Sequence, residues 1–535
     1  MKNWLLFVVT VCVLLLTACT TSNTRADIQE HEGEKTVLYM NNGKEPTSFN
    51  PPSGFDDVSW NALNNLMEGL TRLGKNDRPQ PAIAERWDIS ENGKIYTFYL
   101  RENANWSNGD PVTAYDFEYA WEQLLNPENL SPAAFLGYLI EGGEAYNNGN
   151  GPKDKVGVRA VDEKTLEVTL TAPTGFFLHV ISNPAFFPVN KKVATENPDW
   201  HTEAETFVSN GPFILEKWKH NSHMIFAKND QYWDKDTVQI DIVHWAMVED
   251  TNTEYQMFQT GDLDMTSIPS EIADQLIEDK NVVIEEQAGL SFFRFNVTME
   301  PFQNEKIRKA FALAINQQDI VDYVTRNREE AAHGFVSPGF VNPDGGDFRG
   351  ITGDLVVFDP KKARRLLKEG MEEEGYDALP DVNLSYNTSE SNKAIAETMQ
   401  AMFKENLGVD VRLGNIEWGV FLEDQKALKL QFSRSSFIYD YGDPVNFLES
   451  FTTDSTMNRT GWSNEDYDKL IRLAKTESNE IKRWDYMYEA ERILAEEMPI
   501  FPIHYYNQVH LYSDSVRGIV RHPVGYLELK WARKD

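Results

Sequence analysis

The chain has 535 residues, 41% hydrophobic and 12% aromatic, which suits several domains around large cores and excludes a disordered chain. With 84 acidic against 51 basic residues its formal charge is −33, a balance that repels nucleic acid and anionic lipid headgroups. Its two cysteines, Cys12 and Cys19, both lie in the first 19 residues, so the rest of the chain can form neither a disulfide nor a thiolate metal site.

Those 19 residues read MKNWLLFVVTVCVLLLTAC. Lys2 supplies a positive start, Trp4 to Leu16 an apolar run shorter than a membrane span, and Leu16-Thr17-Ala18-Cys19 a lipobox. The pattern predicts export, cleavage before Cys19, and lipid on the Cys19 thiol and the new amino terminus. The protein is therefore expected to be extracytoplasmic, held to the cell membrane by lipid on Cys19. Residues 20–35 are polar and acidic, the composition of a flexible tether.

Folded structure is expected from Thr36-Val37-Leu38-Tyr39-Met40, a strand closed by Asn42-Gly43. Trp60, Leu63, Leu66, Met67 and Leu70 share one helical face. Thr113 and Asp116 form a helix start, followed by the stripe Phe117, Trp121, Leu124 and Leu125. Thr165 to Leu170 alternates as a strand does. KHNSHMIF, with His220 and His223, reads as a polar hairpin turn rather than a metal pair. Asp359-Pro360 opens a further helix. The helix through Ile395, Met399, Met402, Phe403 and Leu407 stops at Gly408, and Val409 to Leu413 alternates after it. Ser463 with Asp466 predicts another helix start, Ile481 to Glu497 a longer helix, and Ile500 to Leu511 the last strand. The whole is mixed α/β.

No nucleophile elbow, zinc-protease helix, phosphate loop or EF-hand loop is written in the chain. What stands out is FSRSSFIYDYGDP, Phe432 to Pro444, where Arg434 and Asp440 interrupt an aromatic run. Desolvating a lone carboxylate costs several kcal/mol by order of magnitude. Asp440 must therefore meet an internal cation, solvent, or the cation of a ligand.

The same residues carry a family resemblance. PAIAERWDISENGKIYTFYLRENANWSNGDPVTAYDFEYAWEQLLNP (Pro81 to Pro127), NGPFILEKW from Asn210, NDQYWD from Asn229, IRKAFALAIN from Ile307, YDYGDP from Tyr439 and the late FPIHYYN make the chain resemble the extracytoplasmic solute-binding proteins of family 5. Within that family it resembles the oligopeptide-binding lipoproteins of peptide ABC transporters. The resemblance implies an α/β, two-lobed, three-domain periplasmic-binding-protein-like fold (class II, cluster C) with an interlobe ligand cleft. Domain I would comprise residues 36–57, 205–289 and 507–535, domain II residues 58–204, and domain III residues 290–506. The implied protein is a receptor, not an enzyme, that binds extended oligopeptides and delivers them to an importer. A receptor for one signalling peptide or another solute is the alternative on the same fold, and a lipid-anchored hydrolase the alternative outside it.

Site residues follow from the resemblance position by position. Asp440 matches the carboxylate that binds the ligand's α-amino group. Trp418, Arg434 and Tyr506 match residues that line side-chain pockets or hold the peptide. Glu45 matches an acid at the cleft edge, and Phe437 stands where relatives carry tryptophan. Ser291 and Ile438 lie where relatives carry a cysteine pair. Asn392 replaces a histidine that meets a ligand carboxylate. No cofactor, metal or nucleic acid is implied. The partners would be peptides, the permease subunits of the transporter and, through them, its ATPase subunits; the receptor would be a monomer hinged near Gly289 and Asn507.

Overall fold

The computed structural model describes residues 35–54, 56–269, 272–276 and 281–535; the lipobox, Cys19 and nearly all of the tether lie outside them. Helices begin where short polar side chains satisfy the first free N–H groups. Thr113 and Asp116 form a reciprocal capping box at the head of Ala114–Leu125. Asp359 and Ser389 accept from backbone N–H groups three residues on, at the heads of Pro360–Glu374 and Glu390–Leu407. Gly408, at φ 76°, ends the latter as expected. Two boundaries differ from expectation. Asn464, not Ser463, caps Glu465–Thr476, with its Oδ1 2.9 Å from the Tyr467 N–H; that start turns Tyr467, Ile471 and Ala474 inward together. The first helix, Asp57–Leu66, ends before Met67, whose backbone is extended. Met67 and Leu70 are still buried, but from a loop.

Three sheets organise the chain. One orders Val37–Asn41, Ile242–Ala246, His223–Lys228 and Phe213–Lys219, the last two forming the hairpin read from KHNSHMIF. A second orders Ala84–Ile89, Ile95–Leu100, Thr165–Thr169 and Val158–Ala160. The third runs Met265–Ser267, Ile500–Tyr512, Val282–Phe295, Phe432–Ile438, Val382–Asn387 and Val411–Ile416, with Glu330–Ala331 added to Ile500–Tyr512. The fold is thus α/β, in two lobes joined through long antiparallel strands.

Those strands, Val282–Phe295 and Ile500–Tyr512, pair from Val282 with Leu511 to Glu286 with Asn507, lose register, and resume at Leu290 with Tyr505. Within the break Ala288 turns outward in its bonding. Its N–H donates to the Pro523 carbonyl at 2.7 Å, and its carbonyl accepts the Tyr439 N–H at 3.1 Å. Gly289 is required by close approach: a Cβ there would stand 2.6 Å from Ile438 Cδ1 and 3.0 Å from Tyr506 Cδ2.

A phenylalanine core fixes the base of the strand Phe432–Ile438. The Phe432 ring lies 4.9 to 6.4 Å from those of Phe293, Phe295, Phe302, Phe311, Phe403 and Phe501. Nearby, a fully buried Glu491 meets Arg349 Nη1 at 2.5 Å and accepts the N–H groups of Phe335 and Val336 at 2.8 and 2.9 Å. Glu491→Ala leaves a buried guanidinium and two N–H groups unpaired. Denaturant unfolding is expected to show a loss of about 3–5 kcal/mol.

Candidate ligand cleft

The strand Phe432–Ile438 pairs antiparallel along its length with Gly289–Phe295. Its other side meets Val382–Asn387 only at Phe432 and Ser433. From Arg434 to Ile438 that second edge has no strand partner among the described residues, a bare edge that an extended chain can extend. The edge borders a cavity of about 880 Å³ lined by Pro132 and Phe135 on one side and Ser436, Phe437, Ile438, Asp440 and Met457 on the other. An adjoining cavity of about 790 Å³ shares Phe135, Glu449, Arg472 and Lys475 with it.

Asp440 and Asp443, three residues apart in YDYGDP, have opposite environments. Asp443 is buried against Arg483, Oδ1 to Nη2 2.6 Å, and accepts the Val445 N–H at 2.9 Å; it closes the turn. Asp440 is half-buried and has no cation at ion-pair distance among the described residues. Its backbone is fixed on both sides: the N–H donates to Asn446 Oδ1 at 2.8 Å, and the carbonyl accepts the Tyr526 hydroxyl at 3.2 Å. Burial pushes its carboxyl up to about 6, and the charges of Glu449 and Asp57 add to this against a hydrogen bond from Asn446. Glu449 itself is satisfied by Lys475 at 2.7 Å and the Tyr441 hydroxyl at 3.0 Å. The geometry leaves one carboxylate rigidly held and, among the described residues, without a counter-ion.

The structure brings several of the expected residues to this strand. Arg434 Nη2 donates to the Tyr506 hydroxyl at 3.1 Å, and its Nε is buried without a partner. Phe437 lines the larger cavity and stands edge-on to Tyr439 and Phe447, centroids 5.4 and 5.2 Å away. Trp418 opens the helix Trp418–Lys426, capped by Glu417, with its ring parallel to Phe421 and 50% exposed. Glu45 stands apart. Its carboxylate takes His220 Nδ1 at 2.6 Å and the Asn221 N–H at 2.7 Å, bracing the hairpin turn and holding His220 above its usual value. His220 is thereby part of an ion pair, not a free turn residue.

Asn392 is buried at its helix start, its Nδ2 donating to Asn387 Oδ1 at 3.1 Å. Ser291 lies buried opposite Ser436, while Ile438 lies opposite Gly289, so packing alone braces this wall. Sequence reasoning missed Asn446 and Tyr526, which position Asp440, and Phe135, which faces it from the other lobe. An asparagine six residues on and a tyrosine 86 residues on carry no pattern that would single them out.

An unpaired, desolvated carboxylate destabilises the ligand-free protein, and the sign with pH is set by its raised value. The penalty is absent below the ordinary carboxyl value of 3.8 and grows as pH rises through about 6. Ligand-free Asp440→Asn is expected to melt at a higher temperature than the parent at pH 8. The difference should vanish by pH 4 in a calorimetric series.

Comparison with known proteins bears on this geometry. Residues 78–459 match the model for bacterial extracellular solute-binding proteins, family 5 (middle region). The chain is 58% identical over 524 residues to the dipeptide-binding protein DppE of Bacillus subtilis (strain 168), covering 97% of this chain and 96% of that one. It is 32% identical to the structure titled Listeria monocytogenes OppA bound to peptide, with a TM-score of 0.75 over 94% of this chain and 99% of that one. Against the periplasmic murein tripeptide-binding protein MppA of Escherichia coli, in its unliganded open form, the TM-score is 0.81 at 29% identity, covering 94% and 98%. The chain belongs to the bacterial extracellular solute-binding proteins of family 5.

Proposed function

We propose that this protein is a lipid-anchored receptor that captures extracellular peptides between its lobes and delivers them to the permease of an ABC importer. The observation that carries the reading is the juxtaposition of a bare strand edge, Arg434 to Ile438, with the unpaired Asp440 at its end. The edge offers main-chain hydrogen bonds to any extended peptide, whatever its side chains. Asp440 offers a charge-assisted contact to the peptide's α-ammonium, worth more in this desolvated setting than in water. Arg434, Tyr506, Phe437 and Trp418 would line the path of the chain. Glu45 would act indirectly, by holding the hairpin turn. The names of the relatives, dipeptide-binding and peptide-bound, support the ligand class.

The domain division is part of this reading: residues 36–57, 205–289 and 507–535 as domain I, 58–204 as domain II, and 290–506 as domain III. The boundaries at 289 and 507 flank the register break in the long strand pair. Ligand favours closure only by touching both lobes at once, and Phe135 facing Asp440 across the cavity supplies the opposing surface. The protein works as a monomer, the permease meets its closed form, and the ATPase subunits act through the permease. It catalyses nothing: its peptides are released unchanged. No helix among the described residues is long and apolar enough to cross a membrane.

Calorimetric titration tests the amine contact. Free-amine peptides should bind at least tenfold more tightly than their N-acetyl forms, and Asp440→Asn should abolish that preference. Affinity for free-amine peptides should also fall as pH drops below about 6, where Asp440 takes up a proton. Equal binding of both forms by the parent protein would remove the role given to Asp440. For the anchor, Cys19→Ser should move the protein from the membrane fraction to the medium and eliminate labelling by radioactive palmitate.

A further inference from the structure

Two neighbouring phenylalanines in the segment 176–177 face different lobes. Phe177 opens the short helix Phe177–Val180 and packs on Tyr96 of its own domain, ring centroids 4.9 Å apart. Phe176, one residue earlier, packs on the other lobe. Its ring lies parallel to that of Tyr441, 5° between planes and 5.2 Å between centroids, and the Arg483 guanidinium lies 5.0 Å from the Phe176 centroid. All three side chains are buried. The edge of the guanidinium is engaged by Asp443 at 2.6 Å, Glu480 at 3.7 Å and the Ala474 carbonyl at 2.9 Å, which leaves its planar face to the ring. A stacked aromatic pair and a desolvated cation over a ring each stabilise beyond the area they bury.

Two glycines, one from each lobe, make room for this contact. A Cβ on Gly175 would overlap Glu480 Oε1, at the head of the helix Glu480–Glu497. A Cβ on Gly442, the glycine of YDYGDP, would stand 2.9 Å from His179 Nδ1. Neither glycine has a positive φ, so what they supply is space for close approach rather than an unusual backbone conformation. His179 Nδ1 is buried with no hydrogen-bond partner among the described residues, so its meeting with Gly442 is one of shape. Phe176 and Tyr441 line the cavity of about 790 Å³ that adjoins the ligand cavity, while Phe176, His179 and Gly442 also line a further cavity of about 360 Å³ that reaches Ala288 in the register break.

We propose that Gly175, Phe176 and His179 form a clasp on Tyr441, Gly442 and Arg483 that holds the two lobes together and sets how much of the ligand-free protein stands closed. The clasp itself rests on the two-lobed fold; only its binding readout rests on the peptide-receptor reading. A ligand that needs the closed arrangement binds more weakly in proportion as that arrangement is less populated. A contact that raises the closed fraction therefore strengthens every peptide by the same factor, whatever its end groups or side chains. Ligand contacts with both lobes then shift a balance that the clasp has already tilted. Asp440, one residue before Tyr441, does the opposite kind of work, since it distinguishes one amino terminus from another.

Small-angle X-ray scattering of the ligand-free mature protein, with calorimetric titration of trialanine, tri-tryptophan and N-acetyl-trialanine, tests the clasp. Phe176→Ala and Gly442→Ala should each enlarge the radius of gyration of the ligand-free protein. Each should weaken trialanine and tri-tryptophan alike, on the order of tenfold, while the penalty for N-acetylation stays at its parent value. Adding His179→Ala to Gly442→Ala removes the imidazole that the new methyl group meets, and should return both readouts most of the way to those of His179→Ala alone. An unchanged radius and affinity in Phe176→Ala would overturn the clasp. So would a loss confined to one of the two free-amine peptides, which would make Phe176 a side-chain pocket. A lost N-acetylation penalty would also overturn it, by assigning the stack to the placement of Asp440, as would a Gly442→Ala defect that His179→Ala leaves in place. Failure of the parent protein to bind any free-amine peptide would overturn the receptor reading alone, because the scattering reads the clasp without a ligand.

Discussion

The antiparallel pairing of Val282–Phe295 with Ile500–Tyr512 is the constraint on which the remainder of the structure depends. Segments more than two hundred residues apart in sequence come together in one ribbon, and the third sheet grows outward from it. On one side the ribbon supports Met265–Ser267; on the other it supports the strand Phe432–Ile438, which leads to Asp440. Non-local pairing of this kind forms late and is set by packing rather than by local preference. The phenylalanines around Phe432 supply that packing, and they fix the strand at its base while its far half keeps a bare edge.

Charge satisfaction separates scaffold from site. Where the fold needs rigidity, acids and arginines are matched and buried, as in Glu491 with Arg349 or Asp443 with Arg483. At the end of the strand Phe432–Ile438 the matching stops: among the described residues Asp440 has no cation at ion-pair distance. The net charge of −33 has no part in this, since it is spread over the whole chain.

Much of the fold was legible because it follows local rules. The capping box at Thr113, the helix stop at Gly408, the parallel strand after it and the hairpin at His220 are written in short polar residues and apolar periodicity. The start at Asn464 was misplaced by one residue because serine and asparagine cap equally well. At the site, aromatic text flagged the strand, but residue identity alone could not tell Asp440 from Asp443. Their difference lies in Arg483, forty residues on. The resemblance places Glu45 at the cleft edge, and its ion-pair partner, His220, lies 175 residues away. Partners at such distances leave no spacing to detect.

The register break around Ala288 has a mechanical consequence. A continuous two-stranded ladder resists twist, because rotation strains every rung; a ribbon interrupted for three residues is torsionally soft at the interruption. Ala288 sits in that soft segment and holds the Pro523 carbonyl on one side and the Tyr439 N–H on the other. Rotation there is therefore geared directly to the residue preceding Asp440. The Asp440 carboxylate and the interrupted segment are one peptide unit and one hydrogen bond apart, so under the proposed reading an ammonium seated on Asp440 would act on that segment at short lever arm, with no relay through the core.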